Sequence, residues 1–386
     1  MFRLHVLQAR YGDCLLLEFG TDAEPHYVLV DGGPPRTYEN HLRAELQRMA
    51  TRQEAETLAL DLVVLSHVDN DHIVGLLDLT SELREQRARS EAEIVGIGAL
   101  WHNAFEDTIG RGNDVEARLA SAMAGASQAT MSLTSTGIAI QGIGEGRQLR
   151  RDALLLGVPL NEGFDGGLVS IETAPPTIDL GDLALQVVGP TEDNLEELRD
   201  KWEKWLDKHA DDIASGDPLL AAMADRSVPN LSSIMLLARC QGRTILLTGD
   251  GRGDHLLQGL RQADLLDELG HMHVNVLKVA HHGSDRNANR RFFRQVTAEK
   301  YVISADGLYG NPDLATMIWI VESACEDGRQ IEILLTNQTS ASEKLLEEYP
   351  PEEYGYHLSI LDPDASALTL ELVSEPKEEE ACLEHQ

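Results

Sequence analysis

Leu65-Ser66-His67-Val68-Asp69-Asn70-Asp71-His72 places four metal-capable side chains, His67, Asp69, Asp71 and His72, within six residues. The apolar stretch Leu62-Val63-Val64-Leu65 runs into it and reads as a strand over 62–66. Ile73-Val74-Gly75-Leu76-Leu77 follows and reads as the start of a helix. Imidazoles and carboxylates at that density repel and desolvate one another unless positive charge lies among them. A divalent cation is the usual solution.

The pattern around this turn occurs twice. A strand at 27–30 ends in Asp31-Gly32-Gly33-Pro34, a helix is expected over 38–58, and the strand at 62–66 ends in His67. A strand at 244–248 ends in Gly249-Asp250, a helix is expected over 254–268, and a strand at 274–279 ends in Ala280-His281-His282-Gly283-Ser284. The order strand, Asp, helix, strand, His predicts two related halves, each a sheet with helices on one side. Packed sheet to sheet, they bring both sets of strand ends to one edge, where sites are built.

The rest of the chain supports an α/β reading. A hairpin is expected from 2–8 and 14–19 around Tyr11-Gly12-Asp13, and a second across Gln241-Gly242-Arg243. Further strands are expected at 183–188, 301–304 and 331–335, with a last strand pair near 356–373. Helices are expected at 191–213, which carries Trp202 and Trp205, and at 287–297 and 312–325. We expect one domain over 1–373, with an insertion near 81–187 and an acidic helical segment near 191–228. An acidic, disordered tail is expected over 374–386.

The formal net charge of -33 repels polyanions at long range and counts against loose nucleic-acid binding. A nuclease stays open, because charge can be arranged locally. Two basic clusters stand out: Arg147, Arg150 and Arg151, then Arg286, Arg290, Arg291 and Arg294. Each reads either as a solvated helix face or as a phosphate-steering patch. Cys14, Cys240, Cys325 and Cys382 are scattered, which fits a reducing cytosol and offers no Cys-based zinc site. No apolar run is long enough to span a membrane, and the N-terminus lacks signal-peptide regions. The expected location is therefore cytoplasmic. His5, His41, His102, His209, His255, His271 and His273 lack the strand-end context and read as structural or solvent-exposed.

Taken together, these segments resemble the metallo-β-lactamase superfamily. Its usual signature is His-x-His-x-Asp-His, and here Asp69 replaces the second His. That change resembles the ComEC/Rec2-like branch, which contains the soluble domain of a DNA-uptake protein and phosphorylcholine esterases. Gly12-Asp13-Cys14-Leu15-Leu16-Leu17, Leu29-Val30-Asp31-Gly32-Gly33, Asn230-Leu231-Ser232-Ser233-Ile234, Leu246-Leu247-Thr248-Gly249-Asp250 and Leu277-Lys278-Val279-Ala280-His281-His282-Gly283-Ser284 match that branch in order. The chain departs from it at Asn311-Pro312, where His-Pro is common, and has no His near Gly189-Pro190.

The resemblance implies a four-layer αββα sandwich of the metallo-β-lactamase type and two divalent metal ions. The first ion would take His67, Asp69 and Asn230 or water. The second would take Asp71, His72 and His281, with Asp250 bridging both. The internal repeat favours His281 over His282, by a small margin. The carboxylates make Mn²⁺ or Fe²⁺ competitors to Zn²⁺. Asp71 would also orient the attacking water, and Asp31 would fix a His ring or a loop amide. Lys278, His282 and Ser284 would contact a phosphate or an oxyanion, although Lys278 on a buried strand reads equally as an ion-pair partner.

The function expected is hydrolysis by metal-bound hydroxide, with a phosphodiester, nucleic acid included, as the favoured substrate. The alternatives are hydrolysis of a lactone, thioester or amide, and a sensor or interaction module with a structural or vestigial metal. The expected partners are a phosphate-containing substrate and a protein bound through the acidic surface or the insertion, with no membrane.

Overall fold

Short apolar segments punctuated by Gly, Pro and Asp produce strands here, and most are buried on both faces. The computed structural model describes residues 1–103, 135–164, 167–208 and 232–372. β1 (Phe2–Leu7), β2 (Leu15–Gly20) and β3 (Pro25–Val30) form an antiparallel meander. After α1 (Arg43–Arg52) and the short β4 (Leu58–Leu60), β5 (Leu62–Val64) lies parallel to β3. α2 (Asn70–Ala88) follows, then β6 (Val95–Ile97), which pairs with β4, and β7 (Leu100–Trp101), parallel to β5.

Beyond α3 (Ser135–Leu155) and an edge strand β8 (Ile178–Leu180), the second half repeats this succession. β9 (Leu183–Gly189), α4 (Glu192–Lys208), β10 (Met235–Cys240) and β11 (Arg243–Leu247) follow, and the three strands form an antiparallel meander. α5 (Gly253–Gln262) leads to β12 (Met272–Lys278), parallel to β11, and α6 (Arg290–Gln295) leads to β13 (Val296–Ile303), parallel to β12. α7 (Leu314–Glu326), β14 (Ile331–Leu335), α8 (Ser340–Glu348), the short α9 (Pro351–Tyr354) and β15 (Tyr356–Ile360) extend this sheet, and β16 (Ala367–Glu371) closes the chain against β1. The sheets run β16-β1-β2-β3-β5-β7 and β15-β14-β13-β12-β11-β10-β9-β8.

The two sheets pack face to face. Leu4, Leu17, Val28 and Val64 of the first share one core with Leu185, Leu236, Leu247 and Val276 of the second. Outside, Leu46, Met49, Leu76, Leu79 and Leu149 of α1–α3 cover the first sheet. Leu256, Phe293, Met317, Ile320 and Leu345 of α5–α8 cover the second. The layers are therefore helix, sheet, sheet, helix, as expected. Burial on this scale is worth about 1.5–3 kcal/mol per large apolar side chain.

Some boundaries differ from expectation. The helix read over 38–58 begins as a π turn, Tyr38–Leu42, and α1 ends at Arg52. The strand pair near 356–373 does not pair with itself: β15 adds to one sheet and β16 to the other. Residues 81–187, read as an insertion, supply fold elements: the end of α2, β6, β7, α3 and β8. α3 is tied to α2 by Arg84 with Asp152 at 2.6 Å. The tail at 374–386 lies outside the described residues, as does 209–228 of the acidic segment.

The start of α2 is locked onto the first sheet by glycines. A Cβ on Gly75 would lie 1.9 Å from Gly32 O, and one on Gly12 would lie 2.0 Å from Asp71 O. Gly32 N–H donates to His72 O at 2.7 Å, and Gly75 N–H to Gly33 O at 3.0 Å. Gly75→Ala must therefore push α2 away from the 31–33 turn. We expect a loss of about 1–3 kcal/mol or more, read as a lower midpoint in chemical denaturation with an unchanged slope.

Candidate metal centre

The strands β3, β5, β11 and β12 deliver Asp31, His67, Asp250 and His281 to one edge. Asp31, in the left-handed region at φ 60, joins the loops of the first half. Its carboxylate accepts from Ser66 N–H (2.7 Å), from Ser66 Oγ–H (2.7 Å) and from His72 Nδ1 (2.8 Å). Ser66 Oγ lies 3.1 Å from His67 Nδ1. Asp69 is the N-cap of α2, a position whose carboxylate ordinarily caps the helix. Here it makes no cap hydrogen bond, and Asp69 Oδ2 lies 3.6 Å from His67 Nε2.

The second half is pressed against this unit. A Cβ on Gly249 would meet Ser66 Cβ at 2.9 Å, so Asp250 enters close beside the His67 loop. His281 and His282 are both left-handed, at φ 50 and φ 55. Such residues cost on the order of 1–3 kcal/mol each and persist only where the surroundings enforce them. Here His281 N–H donates to Gly249 O (3.2 Å), and Asn311 Nδ2 donates to His281 O (3.3 Å).

Asp250 is the centre of the arrangement. Its Oδ2 lies 3.6 Å from both His67 Nε2 and His281 Nε2. Its Oδ1 lies 3.3 Å from His72 Nε2 and 3.6 Å from His282 Nε2. Asp71 Oδ2 lies 3.3 Å from His282 Nε2. Ligand atoms of Asp71, His72, Asp250 and His282 all fall within 4.8 Å of one another. His282 therefore stands with Asp71 and His72, in the place expected for His281, while His281 stands on the His67 side. The two successive left-handed residues turn the two rings toward different oxygens of Asp250.

These donors fit divalent cations. All four imidazoles have Nδ1 engaged: His67 by Ser66 Oγ, His72 by Asp31, His281 by Asn287 Oδ1 at 2.6 Å, and His282 by Ser304 O at 3.0 Å. The network assigns the proton to Nδ1 and turns Nε2 inward, the arrangement that orients histidine ligands. Nε2 of His67, His72 and His282 and Oδ1 of Asp250 are buried without a hydrogen bond among the described residues. Buried polar atoms of that kind are costly unless something binds them.

Other expected site residues stand elsewhere. Lys278 is fully buried, with Nζ 2.6 Å from Asp13 Oδ2 and donating to Val279 O, which makes it an ion-pair partner. Ser284 is buried in the turn, its N–H donating to His281 O. Asn230 lies outside the described residues. Asp13, Ser66, Asn287 and Ser304 were not anticipated. Asp13 lies 3.4 Å from His282 Nδ1, and Asn287 also donates to Asp250 O at 2.8 Å. Only Asp13 carried a signal, its place in the Gly12–Leu17 motif.

Without a cation, protons on the imidazoles balance the acids. Burial alone would lower His282, yet Asp250 and Asp13 push it up to about 10. Burial likewise opposes a charge on His72, but Asp250, Asp31 and Asp71 raise it well above its usual value. Burial would raise Asp250, but His281, His72, His282 and His67 hold it far below the usual carboxylate range.

Residues 8–181 match the family described as Metallo-beta-lactamase superfamily. The fold is of that type, and the matched segment carries His67, Asp69, Asp71 and His72. Asp250, His281 and His282 lie beyond it and join the site through the fold. Similar solved structures include a diphosphatase from the PhnP family, at 13% identity and TM-score 0.39 over 97% of this chain and 98% of that one. Another is a candidate metal-dependent hydrolase from Parabacteroides distasonis, at 9% identity and TM-score 0.36 over 86% and 93%. No curated protein matches.

Three outcomes follow from the buried charges. Lys278→Met leaves Asp13 without its cation and should cost about 3–5 kcal/mol. Adding Asp13→Asn should recover part of this in a double-mutant cycle. A cation needs neutral Nε2 atoms, so metal uptake near pH 7 should release protons, and affinity should fall as pH falls. Calorimetry in buffers of different ionisation enthalpy measures that release. In the metal-free protein, imidazoles raised above their unfolded values stabilise fully below about pH 6.5. Their contribution, with that of His282, should fade as pH rises toward about 10.

Proposed function

We propose that the protein is a metal-dependent hydrolase that cleaves phosphodiesters with two divalent cations, Zn²⁺ or Mn²⁺ with Fe²⁺ as a third candidate. The observation that carries this reading is the division of Asp250, with one oxygen facing His67 and His281 and the other facing His72 and His282. When bound, a pair of such ions supplies hydroxide near neutral pH and offsets charge that gathers on the reacting oxygens. His67, Asp69, His281 and Asp250 would hold one ion, and Asp71, His72, His282 and Asp250 the other. Within the superfamily we assign the chain to the ComEC/Rec2-like branch, on Asp69 and the run Lys278–Ser284.

The chain's own residues perform the remaining work. Asp71 is partly open to solvent while His72, His282 and Asp250 are buried. That exposure supports Asp71 as the residue that orients an attacking water. Ser66, Asp31, Asn287 and Ser304 fix the four rings by holding each Nδ1. The donor set of four imidazoles and three carboxylates suits Zn²⁺, Fe²⁺ or Mn²⁺.

A second reading, hydrolysis of a lactone, thioester or amide at the same centre, has one observation in its favour. Three of the cations expected to meet phosphate are taken up by acids: Lys278 by Asp13, Arg290 by Glu322 at 3.1 Å, and Arg294 by Glu326 at 2.7 Å. A substrate panel separates the two readings.

Protein loaded with Mn²⁺ or Zn²⁺ should hydrolyse bis(p-nitrophenyl) phosphate. Asp71→Ala and Asp250→Asn should each lower kcat/KM at least about a hundredfold, the scale of lost water activation and positioning. Elemental analysis should find close to two metals in wild type and fewer in Asp250→Asn. Equal turnover by Asp71→Ala would refute the assignment.

A further inference from the structure

The mouth of the site carries side chains that the metal centre does not use. Ala9-Arg10-Tyr11-Gly12 is a turn closed by Gly12 N–H to Ala9 O at 2.9 Å, with Arg10 left-handed at φ 55. It is pinned to the centre. Asp13 N–H donates to Asp71 O at 3.2 Å, and Ser304 Oγ donates to Gly12 O at 2.6 Å. Tyr11 therefore stands next to the residue that packs on Asp71.

The loop leaving β13 meets this turn. It bends where Gly310 N–H donates to Gly307 O at 3.0 Å, and between them it presents Leu308 and Tyr309, 56% and 64% exposed. The Tyr11 and Tyr309 rings meet edge to face, with centroids 5.3 Å apart at 84°. The Arg10 guanidinium lies 5.2 Å over the Tyr11 ring and pairs with Asp306 at 3.7 Å. Burial is the main cause that raises the pKa of Tyr11, followed by Tyr309 and Asp71. A large aromatic left open beside a partly buried one and a guanidinium is a surface suited to stacking.

We propose that the open face of Tyr309, braced edge to face by Tyr11, is a substrate-binding clamp on which a planar aromatic group, a nucleobase or an aryl ring attached to the ester that reaches Asp71, stacks. The inference rests on the phosphodiester reading only for the phosphate. The ring is selected by the clamp itself.

Saturation-transfer NMR on the full-length protein, as purified and after Zn²⁺ loading, tests this with adenosine, AMP, phenyl phosphate and methyl phosphate as probes. Adenine protons should receive saturation from wild type and from Tyr309→Phe, and should lose it in Tyr309→Ala. The Kd for AMP should rise about five- to a hundredfold in Tyr309→Ala, with methyl phosphate unaffected. Phenyl phosphate against AMP tells an aryl preference from a nucleobase one. No adenine saturation in wild type, or the same saturation in Tyr309→Ala, would overturn the clamp. Tyr309-dependent adenosine binding that phosphate fails to strengthen would uphold the clamp and count against the phosphodiester reading instead.

Discussion

A carboxylate buried among four imidazoles is the constraint around which this molecule is organised. Asp250 is almost wholly out of water, and its neighbours at 3.3–3.6 Å are His67, His72, His281 and His282. An uncompensated carboxylate there would cost several kcal/mol. Compensation comes from protons on the rings or from cations between them, and the two exclude each other at each Nε2. Any cation held at this centre would therefore be bound in competition with protons.

The internal repeat explains how such a cluster can be assembled at all. Each half delivers one Asp and one His from the ends of neighbouring parallel strands, β3 with β5 and β11 with β12. The sheets share a continuous apolar core, so the two edges cannot drift apart without opening that core. Gly249 against Ser66 and Gly12 against Asp71 remove the last side chains that would hold the loops away. The backbone strain at Asp31, His281 and His282 is thus supported by packing on every side.

Much of this was legible in the chain. The strand–Asp and strand–His pattern is visible because a buried strand must be apolar, so the first polar residue after it marks the sheet edge. The ring assignment was not legible. His281 and His282 are adjacent, and only their φ angles decide which side of Asp250 each ring reaches. Asn287 was hidden because its partners, His281 Nδ1 and Asp250 O, come from other parts of the chain. Lys278, on a buried strand, reads equally as a phosphate contact and as an ion-pair partner until Asp13 is found 2.6 Å away. The separation of β15 from β16 was hidden because cross-strand pairing to β14 and β1 is a long-range choice.

The acidic balance of the whole chain bears on recognition less than the local arrangement does. At physiological ionic strength charges are screened within roughly 8 Å, so most of the formal net charge of -33 is not felt at the site. What an anionic ester meets there is set by nearby groups. Asp69 and Asp71 are partly exposed and negative, and Arg10 is partly spent on Asp306. In the metal-free protein ring protons balance these acids. Divalent ions in place of those protons would put more positive charge beside the mouth, which an anionic ester needs. On the phosphodiester reading, recruitment of the substrate would depend on prior metal loading, and ring stacking at Tyr309 would add affinity that screening leaves untouched.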